Sequence, residues 1–374
     1  MSNTLKLGNG KWATGKDTLL SFSDTNNNYK PLPFSFSRDT SATVVNKDGL
    51  IETVGSGEPR IDFKDNTKGA LLLEPQRTNY VLKSNDFSLL SGGFVTPNYG
   101  TSPEGLSVSR ILFTDANQSM SSGTSLSTGV VCNFSAYVKG IKGQFIKFAA
   151  GGVDIAHTFS GEWERLSGSA TSINNSWNLN TYGYATARDF LLCGVQLEQG
   201  SYATSYIPTS GQANGVTRVT DALPITELRS KNILGSVAFS YLFDFTHQGG
   251  GTFSGFFNEV ENNSNYKGGW VYSSGLQYRT PIGGGNFYVN VKVPITSGDR
   301  VKCCVTLNGS TRKIYANGVL ISTLNNCDNL SNDIDGFIQY YGNTNANYES
   351  WRYNGLQVYN TELTNAEAIA LTTI

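Results

Sequence analysis

The chain has 374 residues, with 28 Lys and Arg against 29 Asp and Glu for a formal net charge of −1, and only 15% of it is charged while 12% is aromatic. That length predicts two or three domains, and the near-neutral charge supplies no basic stripe for a phosphate backbone, which argues against a nucleic-acid partner. No apolar run reaches the ~18 residues of a membrane span, and the N-terminus lacks the apolar centre of a secretory leader, so a soluble, cytosolic product is expected.

Abundant Gly and Asn with many aromatic residues favour an all-β chain with tight turns. In residues 1–90, Leu5 to Leu20 is polar and punctuated by glycine, and Asn26, Asn27 and Asn28 lead into Pro31 and Pro33 as a loop. Phe34 to Arg38 alternates apolar and polar residues, and Ala42–Val45, Leu50–Val54 and Pro59–Phe63 read as further short strands. Strands this short bury too little surface for a core of their own. Segments of this kind commonly reach stability by winding into an intertwined stem or by packing against copies of themselves. Leu71, Leu72 and Leu73 then make a buried strand, and Pro75 ends it before a crossover.

Residues 91–218 read as a first sandwich. Val130, Cys132, Phe134, Ala136 and Val138 share one face of a strand and are expected to point into its core. Residues 219–374 read as a second sandwich, separable from the rest. Val237, Phe239, Tyr241, Phe243 and Phe245 form one strand face, and Asn317-Gly318 signals a hairpin turn. Thr364 and Glu367 have the spacing of a capping box at the start of a C-terminal helix.

Several stretches resemble one family. Arg77-Thr78-Asn79, Ser84-Asn85-Asp86-Phe87 and Leu73-Glu74, preceded by Ser37 to Thr43 and Pro59 to Phe63, resemble a signature of bacteriophage head-fibre and tail-fibre proteins. Residues 194–209, a Gln-Leu-Glu turn followed by Ala203 to Thr209, with Thr217, Arg218 and Asp221 beyond, resemble the closing strand of jelly-roll modules similar to carbohydrate-binding modules. Most of residues 219–374 is similar to a concanavalin A-like, laminin-G-like sandwich. The resemblance implies a virion protein, a head fibre in preference to a tail fibre, decorating the capsid. It also implies a homotrimer, attachment to phage capsid or tail proteins through the N-terminal region, and adhesion to host-surface or mucosal glycans.

Chemistry on those glycans is not expected. Glu162 and Glu164 flank Trp163 on one strand rather than facing each other across a cleft, as a glycosidase pair must. His157 and His247 are the only histidines. The loop acids Asp299, Asp333 and Asp335 do not assemble the ~6–8 oxygens of a calcium site. Cys132, Cys193, Cys303, Cys304 and Cys327 lack metal-site spacing and read as buried free thiols. Neither cofactor nor metal is expected. Trp177, Tyr182, Trp270 and Tyr272 are the candidate glycan-stacking residues, because sugars lay their apolar faces on exposed rings; core packing is the alternative for each. A polysaccharide depolymerase and a non-viral adhesin are the competing functions.

Overall fold

In the computed structural model, which describes residues 4–23, 28–88, 90, 94–183, 185–223, 237–247, 253–258, 268–272, 275–281, 288–327 and 351–374, the chain is built almost wholly from strands, numbered β1–β28 in chain order. They fall into two compact units. A central unit comprises Ala42–Thr53 and Gln76–Val219. A discontinuous unit is assembled from Met1–Ser41, Val54–Pro75 and Thr220–Ile374.

Two sheets make the central unit. β10 (Val95–Thr101), β11 (Ser107–Leu112), β18 (Asp189–Gln199), β13 (Val131–Gly140) and β16 (Glu164–Thr171) pair in that order. β12 (Ser119–Gly123), β17 (Ser176–Asn180), β14 (Phe145–Ala150) and β15 (Val153–Thr158) form the other sheet. The order β11-β18-β13-β16 against β12-β17-β14-β15 is that of an eight-stranded jelly roll. Cys132, Phe134, Ala136 and Val138 on β13 are all fully buried in the shared core, as the alternation predicts. The opposite face of β13 is buried as well, through Asn133, Ser135 and Tyr137. Two small antiparallel pairs complete the unit, β5 (Ala42–Val45) with β6 (Ile51–Val54) and β9 (Arg77–Asn79) with β19 (Val216–Arg218).

The discontinuous unit is a second sandwich. Its large sheet runs β2 (Ala13–Gly15), β3 (Thr18–Ser23), β1 (Thr4–Gly8), β28 (Trp351–Tyr359), β20 (Ala238–His247), β25 (Arg300–Asn308), β26 (Thr311–Ala316), β27 (Val319–Leu324). β4 (Asn28–Ser35) joins β3, while β7 (Arg60–Asp62) joins β8 (Ala70–Leu73). The smaller sheet is a meander of β21 (Phe253–Asn258), β22 (Gly268–Tyr272), β23 (Gly275–Pro281) and β24 (Tyr288–Pro294). Phe239, Tyr241, Phe243 and Phe245 fill the core with Val305, Leu356 and Tyr278, whereas Val237 is exposed. The helix α1 (Asn365–Thr372) begins with the expected capping box of Thr364 and Glu367. It covers the other face of the large sheet through Ala368, over Leu242, Cys304 and Tyr315. Cys303 therefore lies in one core and its neighbour Cys304 in the other.

The N-terminal segment corrects the expected three-part division. β1 pairs with Gly355–Tyr359 of β28, and β8 pairs with Trp351–Tyr353 of the same strand. These short strands find their partner at the far end of their own chain rather than in a second copy. Leu7, Leu71 and Leu73 consequently sit in the core made by β20, β25 and β28.

Candidate functional site

The discontinuous unit carries a cleft of about 880 Å³ between the loop joining β7 to β8 and the outer face of the large sheet. The loop, residues 63–69, is held by its own polar groups. The Lys64 amide donates to Asp62 Oδ1 at 3.3 Å, the Lys68 amide donates to Asn66 Oδ1 at 3.0 Å, and the Gly69 amide donates to the Asn66 carbonyl at 2.9 Å. Trp12 Nε1 donates to the Gly69 carbonyl at 3.0 Å and ties the loop to the N-terminal strands. The turn after β1 approaches the sheet so closely that a Cβ on Gly8 would lie 2.3 Å from the Asn354 carbonyl oxygen. That approach requires glycine and lets the Asn9 amide donate to the same carbonyl at 2.8 Å.

Strand register sets the cleft floor. Thr246 on β20 pairs with Arg300 on β25 and with Arg352 on β28, so the three residues form one row across adjacent strands. Buried carboxylates fix both guanidinium groups. Arg300 donates through Nε and Nη2 to Asp244 at 2.8 and 2.6 Å, a bidentate pair that raises the arginine's pKa further. Arg352 pairs with Asp62 at 2.6 Å and donates to the Lys64 carbonyl at 3.0 Å. Asn354 Nδ2 donates to Asp244 at 3.1 Å and its Oδ1 accepts from Asn66 Nδ2 at 2.9 Å. Asp62 and Asp244 are 2% and 9% exposed, so they lie behind the arginines while the guanidiniums, the amides, Lys64, Lys68 and the half-buried Phe63 line the cleft. Such a surface offers fixed planar hydrogen-bonding groups and one ring edge. Its two rear carboxylates are already engaged by arginine, an arrangement that holds the cations in place.

Of the residues expected to stack on glycans, Trp177 and Tyr182 lie elsewhere. Trp177 is 1% exposed, its ring centroid 5.8 Å from that of Phe134 and 6.2 Å from that of Phe87. It belongs to the central core, because Trp177 and Leu179 occupy the inward positions of β17, and it offers no surface to a sugar. Tyr182 is 43% exposed and its hydroxyl lies 3.1 Å from Ser119 Oγ. Trp270 and Tyr272 fall on β22, and their side chains lie outside the described residues, as do Asp333 and Asp335. Neither Trp177 nor Tyr182 lines the cleft. Sequence reading missed the cleft, although Lys64, Asp65 and Lys68 concentrate charge in one short loop of a sparsely charged chain.

The remaining candidates take structural places. Glu162 reaches Lys139 at 3.6 Å and Glu164 reaches His157 at 3.5 Å, so the two acids serve separate partners. Asp299 accepts from the Thr296 amide and hydroxyl at 2.7 and 2.8 Å and closes a turn. All five cysteines are buried and none forms a disulfide, and burial pushes the Cys132 thiol up to about 11 and that of Cys303 to about 12.

The signature stretches form two internal braces. In the discontinuous unit, Asp221 binds Arg38 at 2.9 Å and also Arg60, which binds Glu74 at 2.8 Å; the Glu74 amide donates to Asp221 at 2.9 Å. The arginine and aspartate side chains of this network are fully buried. In the central unit, Asn79 Nδ2 donates to the carbonyls of Val195 at 3.2 Å and Ile207 at 2.8 Å, while its Oδ1 accepts from the Val81 and Leu197 amides, both at 3.1 Å. Ser84 bonds the Tyr206 hydroxyl, and Asn85 Oδ1 accepts from the Gly194 amide at 2.6 Å. Asn79, Ser84, Arg38, Arg60, Glu74 and Asp221 thus take places in the interior of the fold, whereas Asp86 of the same stretches lies at the surface.

No protein-family model and no curated protein matches the chain. Among solved structures it is similar to the carbohydrate-binding module of a Ruminococcus gnavus IT-sialidase bound to α2,3-sialyllactose, at 14% identity and a TM-score of 0.30, over 37% of this chain and 84% of that one. It is similar to domain 4 of the Geobacillus stearothermophilus arabinanase AbnA in complex with arabinotriose, at 15% identity and a TM-score of 0.32, over 41% of this chain and 72% of that one. The binding domain of botulinum neurotoxin serotype D is similar at 14% identity and a TM-score of 0.31, over 41% of this chain and 39% of that one. Scores at that level carry no argument about a ligand or a site.

Proposed function

We propose that this protein is a structural fibre of a tailed bacteriophage virion, on the head rather than the tail, which holds host-surface or mucosal glycans weakly and in many copies and performs no chemistry on them. The observation that carries the adhesion half is the cleft of the discontinuous unit, where amides, guanidiniums held by buried acids and the Phe63 ring converge. The fibre half rests on the Arg77-Thr78-Asn79 and Ser84 to Phe87 resemblance. So do trimeric assembly and attachment to capsid or tail proteins, since the strands of the first ninety residues already have partners within the chain. Low affinity at each site is compensated by copy number, which raises apparent affinity by ~10² or more when several sites engage together.

The test has two arms. Antibody labelling of purified particles is expected to mark the capsid, and a glycan array probed with the intact oligomer is expected to give binding without release of reducing sugar. Unlabelled particles end the fibre reading. A blank array ends the adhesion reading, and sugar release replaces it with a depolymerase.

A further inference from the structure

We infer that the cleft selects saccharides bearing an anionic group, a carboxylate or a sulfate, over neutral ones; this rests on the glycan-binding reading and narrows it. Four cations, Lys64, Lys68, Arg300 and Arg352, line the cleft against one acid, Asp65. The two further carboxylates nearby, Asp62 and Asp244, are buried behind the arginines. A ligand entering from solvent therefore meets the cationic side first, on a chain whose overall charge is −1.

The arginines are also prepared for a ligand. Arg300 spends Nε and Nη2 on Asp244, which leaves its Nη1 edge without a partner among the described residues. Arg352 bonds the Lys64 carbonyl through Nη1 and Asp62 through Nη2, which fixes the plane of its guanidinium at the cleft wall. Because they stand on either side of Thr246, the Cα atoms of the two arginines are separated by two strand spacings, ~10 Å. Two cations rooted on separate strands suit a ligand that carries more than one charged group. Asn9 and Thr246 add polar groups to the cleft wall, and Phe63 an apolar ring for a sugar face. A duplex nucleic acid would need a longer run of cations than this cleft contains.

The experiment is affinity electrophoresis of the full chain through gels containing polygalacturonate, dextran sulfate or unmodified dextran. Retardation by one or both acidic polymers and not by dextran is expected, and the two acidic gels separate carboxylate from sulfate preference. The double variant Lys64→Gln/Lys68→Gln changes two exposed loop residues. It is expected to weaken acidic-polymer binding about tenfold at low ionic strength. A matched variant, Lys47→Gln/Lys142→Gln, alters exposed lysines of the central unit and is expected to bind as the parent does. Equal loss in both variants overturns the inference, since attraction then belongs to overall charge. Equal retardation by dextran also overturns it, leaving glycan binding intact. No retardation in any gel removes both this inference and the glycan reading.

Discussion

The two sandwiches are closed in different ways. The central unit is drawn from a nearly continuous stretch, and its Asn79 and Ser84 brace is neutral, although Arg77, Glu198 and Arg218 are buried in the same unit: one asparagine satisfies four backbone groups, and a serine meets a buried tyrosine whose ionisation is pushed up by burial. The discontinuous unit gathers three separate stretches, and a buried network of two arginines with two acids joins them. Where chain continuity holds neighbours together, the brace at Asn79 and Ser84 is made by neutral hydrogen bonds. Where distant segments must meet in one register, fully buried charges penalise every arrangement that leaves one unpaired.

The largest test of this contrast is to cut the chain. A fragment of residues 42–219 is expected to melt cooperatively, because it contains both jelly-roll sheets and the Asn79 brace. A fragment of residues 220–374 lacks β1 and β8, the strands that pair with β28, and lacks Arg38, Arg60 and Glu74. It is expected to be insoluble or to unfold without a cooperative transition; circular dichroism on heating reads both fragments. Cooperative melting of the second fragment shows that the N-terminal strands are dispensable and that the expected boundary near 219 was adequate.

Point substitutions sharpen the same comparison. Asp221→Ala removes the carboxylate that Arg38 and Arg60 share and is expected to destabilise the discontinuous unit by about 3–5 kcal/mol, the cost of stranding buried charge. Asn79→Ala in the central unit is expected to cost less, about 2–3 kcal/mol, since neutral groups are left unsatisfied. Urea unfolding of the full chain, followed by probes specific to each unit, gives both values. If Asn79→Ala proves the costlier, the contrast between ionic and neutral closure fails.

Trp177→Ala tests what the aromatic residues do. Loss of a ring fully enclosed by Phe87 and Phe134 is expected to destabilise the central unit by about 3–5 kcal/mol. Tyr182→Ala, at a ring that is 43% exposed, is expected to change stability by less than about 0.5 kcal/mol. The pair also marks where sequence reading succeeds. The core face of β13, the capping box and the turn at Asn317 and Gly318, with φ of 48° and 81°, were all legible because each is written in residues a few positions apart. Trp177 was not legible as core, since an aromatic residue among Asn and Ser has the composition of a binding loop until its strand position is known. The cleft was less legible still. Arg352 and the Lys64 carbonyl that it bonds are 288 positions apart, and only long-range register brings Arg300 and Arg352 to either side of Thr246.

The smallest expected effect separates surface charge from the buried network. Asp86, within the Ser84 to Phe87 signature, is held down to about 2, first by the Ser88 hydroxyl and then by Lys83. A carboxylate depressed in the folded state contributes stability above its unfolded value, near ~3.9, and loses that contribution as the pH falls through the folded value. Asp86 is nearly half exposed, so solvent screening reduces its contribution to a few tenths of a kcal/mol, about the worth of a surface pair. Asp86→Asn is therefore expected to lower central-unit stability by about that amount at pH 7, and the difference from the parent is expected to shrink between pH ~4 and ~2. Raising the salt concentration should shrink it too, while the loss caused by Asp221→Ala stays nearly constant because buried charges are screened far less. Matched urea titrations at pH 7 and pH 3, with and without added salt, measure all of these terms. An Asp86→Asn deficit that persists unchanged at low pH assigns the residue a packing role in the turn rather than an electrostatic one.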